Sequence, residues 1–327
     1  MNRLYPLFFN PIYKEKIWGG QRIKSVLGKD YSPLLNCGEA WLISGVEGEN
    51  TVVRNGFLAD NELNELIEVY MDDLVGEQAF EKFGERFPLL FKFIDSDDYL
   101  SIQVHPGDEL AAERHGSFGK TEMWYVIEAE QDAELICGFS KTVGREQFID
   151  HLKNKTLRDI LNTEKVKPGD VFYLPAGRVH ALGPGILLTE IQQTSDVTYR
   201  IYDWDRTDPQ GKSRELHIWQ ALDAIDFEVS DPYRTGYARK QDETVALVES
   251  PYFTTNLLQL TRPVVKDYSR LDSFVVYICT RGKAELIHRD GRLPVVRGDA
   301  VLVPAEIPDC RLIPSPEVEL LEVYLVE

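Results

Sequence analysis

Residues 167–175, KPGDVFYLP, are answered later in the chain by residues 296–304, VRGDAVLVP. The match continues upstream, where residues 125–136, YVIEAEQDAELI, parallel residues 277–287, YICTRGKAELI. An apolar run opened by a Gly-Asp turn and closed by Pro reads as a short strand between turns. Its recurrence makes the chain an internal repeat. The halves of the two copies are spaced differently, and a helical insert over residues 142–163 accounts for the difference. These features predict a mainly β protein built from two antiparallel barrels of short strands.

Outward from the repeat, the first 55 or so residues alternate short apolar stretches with Gly and Pro and read as extended. Over 60–86, Leu63, Leu66, Ile67, Tyr70, Met71 and Leu74 recur at helical spacing, with Asp60 or Asn61 as the cap and Pro88 as the stop. Residues 89–137 read as strands again, and strands return at Lys167 after the insert. The expected division is an N-terminal unit over 1–240 that carries both helical segments and a C-terminal barrel over 241–327.

Composition narrows the function classes. Against 36 basic residues stand 54 acidic ones, a net charge of −18, which repels nucleic acid and anionic membrane surfaces. Apolar runs such as 88–93 are far too short to span a bilayer, and residues 1–10 lack the pattern of a secretory signal. Cys37, Cys137, Cys279 and Cys310 are scattered, which suits neither a disulfide framework nor a thiolate zinc site. A cytoplasmic location is expected. No dinucleotide fingerprint, phosphate loop or serine-nucleophile elbow occurs. The oligomeric state is not legible in the sequence.

The first copy carries Gly169, five residues, Pro175, one residue, Gly177, two residues, His180. This spacing is the second signature of the cupin, a jelly-roll type of barrel, and it projects His180 inward at the barrel mouth, where neutral imidazole binds a borderline metal. The competing reading is a hydrogen-bonded core histidine. In SIQVHP, residues 101–106, the period of two sends Ser101, Gln103 and His105 to one face. In GKTEMWYV, residues 119–126, Lys120 and Glu122 share a face. Gln103, His105, Glu122 and His180 thus offer a nitrogen and oxygen set suited to one zinc ion. Aligning the second copy puts Glu306 at the place of Gly177, Asp309 at that of His180 and Phe274 beside that of Glu122, so no ligand set is expected there. Residues 189–206, dense in polar and aromatic types, read as a ligand wall or a salt-bridged hairpin. His115 reads as a surface-loop residue, His151 and His217 as structural, and His288 as a hairpin-tip residue.

Together SIQVHP, GKTEMWYV, PAGRVHALGPG at 175–185, TYRIYDWDR at 198–206 and IWGG at 17–20 resemble the short bacterial form of type I mannose-6-phosphate isomerase. The resemblance covers most of the chain. It implies zinc bound at the positions of Gln103, His105, Glu122 and His180, some short members using only the His, Glu and His positions. It also implies Lys120 and Arg200 in the substrate pocket, with Glu190 where the pocket carries a further acid, and Ser101 joins them as a candidate substrate contact. The general cupin pattern has two His separated by one residue with a Glu soon after. Here Gln103 replaces the first His and Glu122 lies 17 positions beyond His105, which favours the isomerase form over a cupin oxygenase.

The implied activity is interconversion of mannose 6-phosphate and fructose 6-phosphate through an enediol. A small-molecule sugar phosphate is then the partner, Lys120 or Glu190 the base, and Arg200 an electrostatic or phosphate-binding residue. The alternatives are a sugar-phosphate-binding cupin without catalysis and a metal-dependent oxygenase.

Overall fold

The computed structural model describes residues 3–207 and 211–325. Its described residues form mainly β structure, in sheets of nine, six, five and two strands. The six-stranded sheet runs in the order Val171–Leu174, Glu122–Ala129, Ile186–Gln193, Leu89–Ser96, Glu39–Ile43, Ile12–Lys14. The five-stranded sheet runs Leu161–Lys165, Glu134–Phe139, His180–Leu182, Ile102–Val104, Tyr199–Tyr202. All of these pairings are antiparallel.

Strand alternation distributes the core into layers. From Glu122–Ala129, Trp124 and Val126 pack with Leu135, Cys137 and Leu182 of the five-stranded sheet, so these two sheets enclose one apolar layer. Met123, Tyr125 and Ile127 leave by the other face, with Phe91 and Phe93, to meet Val276, Ile278 and Leu321 of the nine-stranded sheet. The far face of that sheet closes over Tyr277, Cys279 and Leu286. On the outer face of the five-stranded sheet, Phe148 and Leu222 bring in the helices Arg145–Lys153 and Ile218–Ala224. The nine-stranded sheet is not confined to the C-terminal third. Leu7–Asn10 pairs there, Leu7 opposite Leu302, and links it to Val52–Val53.

The repeated turn has the same local chemistry in both copies. Gly169 and Gly298 take φ of +87° and +85°. Asp170 accepts the Lys167 N–H at 2.9 Å, and Asp299 accepts the Val296 N–H at 3.0 Å. The strands Val171–Leu174 and Ala300–Val303 follow.

Several expectations are corrected. The segment over 60–86 is three helices, Leu63–Tyr70, Asp72–Val75 and Glu77–Phe83. Positive φ at Met71 and Gly76 breaks the periodicity. The first helix is capped at Glu62, whose N–H donates to Glu65 at 3.0 Å, rather than at Asp60 or Asn61. In the insert over 142–163 the α-helix ends at Lys153, and Leu161–Lys165 is a strand because it hydrogen-bonds along Glu134–Phe139. Residues 89–137 are interrupted by the helix Asp108–His115, with acids in its first turn and Arg114 and His115 in its last. That arrangement complements the helix dipole, and His115 ends a helix instead of lying in a loop. The extended N-terminal region also contains a short helix, Arg22–Ser25.

Gly169→Ala is expected to lower stability by roughly 1–3 kcal/mol, the cost of a left-handed backbone in a residue with a side chain. An added Cβ would also meet the Arg239 guanidinium, but that flexible end can swing aside. Arg239→Ala in the same background should therefore recover little of the loss, as followed by denaturant unfolding.

Candidate metal centre and substrate cavity

Strand register sets out two facing rows of side chains. Across the five-stranded sheet, Gln103 stands directly between His180 and Arg200. Across the six-stranded sheet the row is Trp41, Lys92, Glu190, Trp124. The rows touch where the Trp124 ring lies edge-on to His180, centroids 5.3 Å apart.

His105, just beyond the Ile102–Val104 strand, and Glu122, the first residue of its own, close on His180. Ligand atoms of these three residues lie within 4.8 Å of one another, and each residue is 1% exposed. His180 Nε2 is 3.2 Å from Glu122 Oε1, and His105 Nε2 is 3.6 Å from Oε2. Each imidazole spends its Nδ1 on a carbonyl, His105 on Val197 at 2.9 Å and His180 on Arg178 at 2.8 Å. Nδ1 therefore carries the proton, and Nε2 presents a lone pair to the centre. Burial, with Lys120 adding to it, pushes His180 down to about 4 and His105 well below its usual value, so both are neutral. Burial and the charge of Glu190 push the Glu122 carboxyl up to about 8 against the opposing pull of Lys120, and among the described residues neither of its oxygens receives a well-formed hydrogen bond.

Two imidazole lone pairs and the Glu122 carboxyl group converge here, with the Lys120 ammonium at their edge. Buried carboxylates elsewhere in the chain are differently served. Glu322 receives Lys266, Asn256 and Tyr268 at 2.9, 3.0 and 2.6 Å, and Glu319 receives Tyr125, Thr280 and Gln259. The donor set of His105, Glu122 and His180 fits a divalent metal. Gln103 Nε2 lies 3.3 Å from His180 Nε2. Turned about its terminal bond, the amide would aim its oxygen at the same centre, an assignment that hydrogen-bond networks alone decide.

Beside this centre lies a cavity of about 360 Å³ lined by Ser101, Gln103, Lys120, Glu190 and Arg200 among others. Lys120 Nζ is 3.2 Å from His105 Nε2 and 3.4 Å from Glu122 Oε2. Glu190 is pinned by Lys92 at 3.0 Å and by the Trp124 indole at 2.8 Å. Burial alone would raise its carboxyl, but Lys92 and Lys120 overcome burial and hold it below its usual range. Arg200 is placed by His217, whose N–H donates to the Arg200 carbonyl at 2.7 Å.

The structure thus brings together all four residues expected to hold metal and all four expected to face substrate. At the equivalent places in the second copy, Phe274 is in the core, Glu306 accepts the Leu4 N–H and Asp309 is exposed. The sequence reading missed Lys92, although a lone Lys breaks the supposedly apolar run 88–93 and was a visible signal. It also missed Glu39 and Lys16, paired at 3.0 Å, and Arg214, all of which line the cavity from distant segments.

Comparison with known proteins places the chain in a family. A family model described as phosphomannose isomerase type I, catalytic domain, matches residues 7–140. The chain is 38% identical to mannose-6-phosphate isomerase ManA of Bacillus subtilis over 312 residues, 94% of this chain and 95% of that one. It is 39% identical to the mannose-6-phosphate isomerase of Streptococcus mutans over 264 residues, covering 79% and 80%. Among solved structures, the mannose 6-phosphate isomerase of Bacillus subtilis superposes with a TM-score of 0.87 at 32% identity, over 98% of this chain and 99% of that one. An apo mannose 6-phosphate isomerase from Salmonella typhimurium, at 16% identity and a TM-score of 0.79 over 98% and 99% of the two chains, shares the fold. Alike to its relatives along nearly its whole length, the chain belongs to the type I mannose-6-phosphate isomerase family and is an isomerase.

Proposed function

We propose that the chain interconverts mannose 6-phosphate and fructose 6-phosphate through an enediol, with one zinc ion held by His105, Glu122, His180 and Gln103. The observation that carries the reading is the convergence of two neutral imidazoles and a buried carboxyl group at the edge of a cation-lined cavity. When bound, the ion supplies Lewis-acid polarisation of the substrate carbonyl and stabilises the charge that develops there.

The remaining steps belong to the chain itself. Glu190, ionised and oriented by Lys92 and Trp124, has acceptor capacity left on both oxygens and moves the proton between the two carbons of the aldose–ketose pair. Lys120 donates to the substrate oxygen that gains charge. Ser101 orients a hydroxyl, and Arg200 holds the phosphate with its planar fork. The burial of the site keeps water from the carbanion-like stage.

The same reading extends to the architecture. The two repeats form two cupin barrels, a metal-binding unit over 1–240 and a metal-free unit over 241–327 that receives the first strand of the chain. The reading places the enzyme in the cytoplasm. In support, all four cysteines are buried and unpaired, as suits a reducing compartment, and no helix among the described residues is long and apolar enough to cross a membrane.

Chelation should abolish turnover and zinc should restore it, with about one zinc per chain by elemental analysis; full activity in metal-free protein would overturn the proposal. A coupled assay in which mannose 6-phosphate binds yet no fructose 6-phosphate appears would instead mark a binding protein.

Point variants separate the roles. His180→Ala should lose zinc and activity together, by more than the roughly 10–100-fold that loss of an outer partner of a metal ligand costs. Arg200→Ala should keep its zinc while turnover falls roughly 10²–10³-fold, as for removal of one preorganised donor. Asp309→Ala should change neither. Zinc lost from the Asp309 variant and kept in the His180 variant would place the metal in the other barrel.

A further inference from the structure

Resting on the sugar-phosphate reading above, the geometry points to Arg214 as a second phosphate-binding residue, held in place by the buried carboxylate of Asp203.

The cations of the cavity are not equivalent. Lys14, Lys16 and Lys92 each face a carboxylate, Glu49 at 2.8 Å, Glu39 at 3.0 Å and Glu190 at 3.0 Å. Arg200 has no such partner among the described residues. Its Nη1 donates to the Glu215 carbonyl at 2.9 Å, and its buried Nε has no hydrogen-bond partner among the described residues. Excess positive charge in the cavity is therefore concentrated at Arg200.

Arg214 lines the same cavity and is gripped along one edge by Asp203. Nε donates to Oδ2 at 2.7 Å and Nη2 to Oδ1. Asp203, 5% exposed, also takes Arg206 at 2.6 Å. Arg206 turns away, towards the Tyr99 carbonyl at 2.6 Å and Asp98 at 3.4 Å. Arg206 and Arg214 thus share Asp203 and Asp98, and Arg200 contacts neither acid, which leaves one positive charge over among the three guanidinium groups. Arg200 and Arg214 line the same cavity, and burial first and then the charge of Arg214 lower the proton affinity of Arg200. A phosphate dianion between them offsets both charges and accepts from two planar forks. In a chain of net charge −18, such a local concentration of cations is what lets an anionic substrate approach. Asp203 touches no substrate in this arrangement; it is a positioning residue, acting through Arg214.

Steady-state kinetics of the zinc-loaded protein, with inorganic phosphate as a competitive inhibitor, tests the assignment. Arg214→Ala should raise both the KM for mannose 6-phosphate and the inhibition constant of phosphate about ten- to a hundredfold, as for loss of a charge-assisted hydrogen bond. Its kcat should change far less and its zinc content not at all. Arg214→Lys keeps the charge without the fork and should fall between wild type and Arg214→Ala; it carries the test if the Ala variant does not fold. Asp203→Asn should shift both constants in the same direction while Arg214 stays intact. Unchanged constants in the Arg214 variants, or a fall in kcat at constant KM, would overturn the assignment while leaving the isomerase reading in place. A wild-type protein that does not turn over mannose 6-phosphate would overturn both.

Discussion

Antiparallel register is the constraint on which the site depends. One row crosses four strands as Trp41, Lys92, Glu190 and Trp124, and the facing row crosses three as His180, Gln103 and Arg200. Side chains alternate between faces along a strand, so a slip of one residue in any of these pairings would send its contribution to the opposite face. The apolar residues flanking each polar one prevent that slip. Met123 and Tyr125 on one side of the sheet, with Trp124 and Val126 on the other, are all buried and fit only one register. Hydrophobic packing thereby aims the polar groups.

Within that frame the polar groups divide by what satisfies them. Buried Lys92 and Glu190 and the half-buried Glu39 form an alternating series of charges. Glu39 is held down to about 2 because Lys92 and Lys16 overcome the cost of burial, and Lys92 is raised because Glu190 and Glu39 do the same for it. That series is complete without a ligand. The group formed by His105, Glu122 and His180 is not, since its inward atoms are all acceptors apart from the neighbouring ammonium of Lys120. One ammonium among so many buried acceptors leaves room for a second cation, and the donor set fits a divalent one.

The two copies of the repeat share a turn but not an interior. Both keep the left-handed glycine and the aspartate that closes the turn before a strand. In the C-terminal copy the buried acid, Glu322, is surrounded by Lys266, Asn256 and Tyr268 and is already satisfied. Turn geometry is a property of a few adjacent residues and survives in both. The contents of the interior depend on which strands pack inward together, and there the copies have parted.

The sequence by itself determined the strand-rich class, the repeat, and the candidate ligands that lie on recognisable local patterns. Gln103 and His105 share a face two residues apart, and His180 follows a spaced set of glycines and a proline. Those are short-range rules of strand alternation and turn chemistry, and they need no partner. The helix limits were less legible, because Met71 and Gly76 adopt positive φ and because Leu161–Lys165 became a strand only by pairing with Glu134–Phe139. Lys92 as the clamp on Glu190, Glu39 behind it and Arg214 beside Arg200 were settled by tertiary structure alone. Lys92 and Glu190 are joined across strands 98 positions apart, and whether a buried charge is compensated depends on what the fold brings within about 3 Å of it.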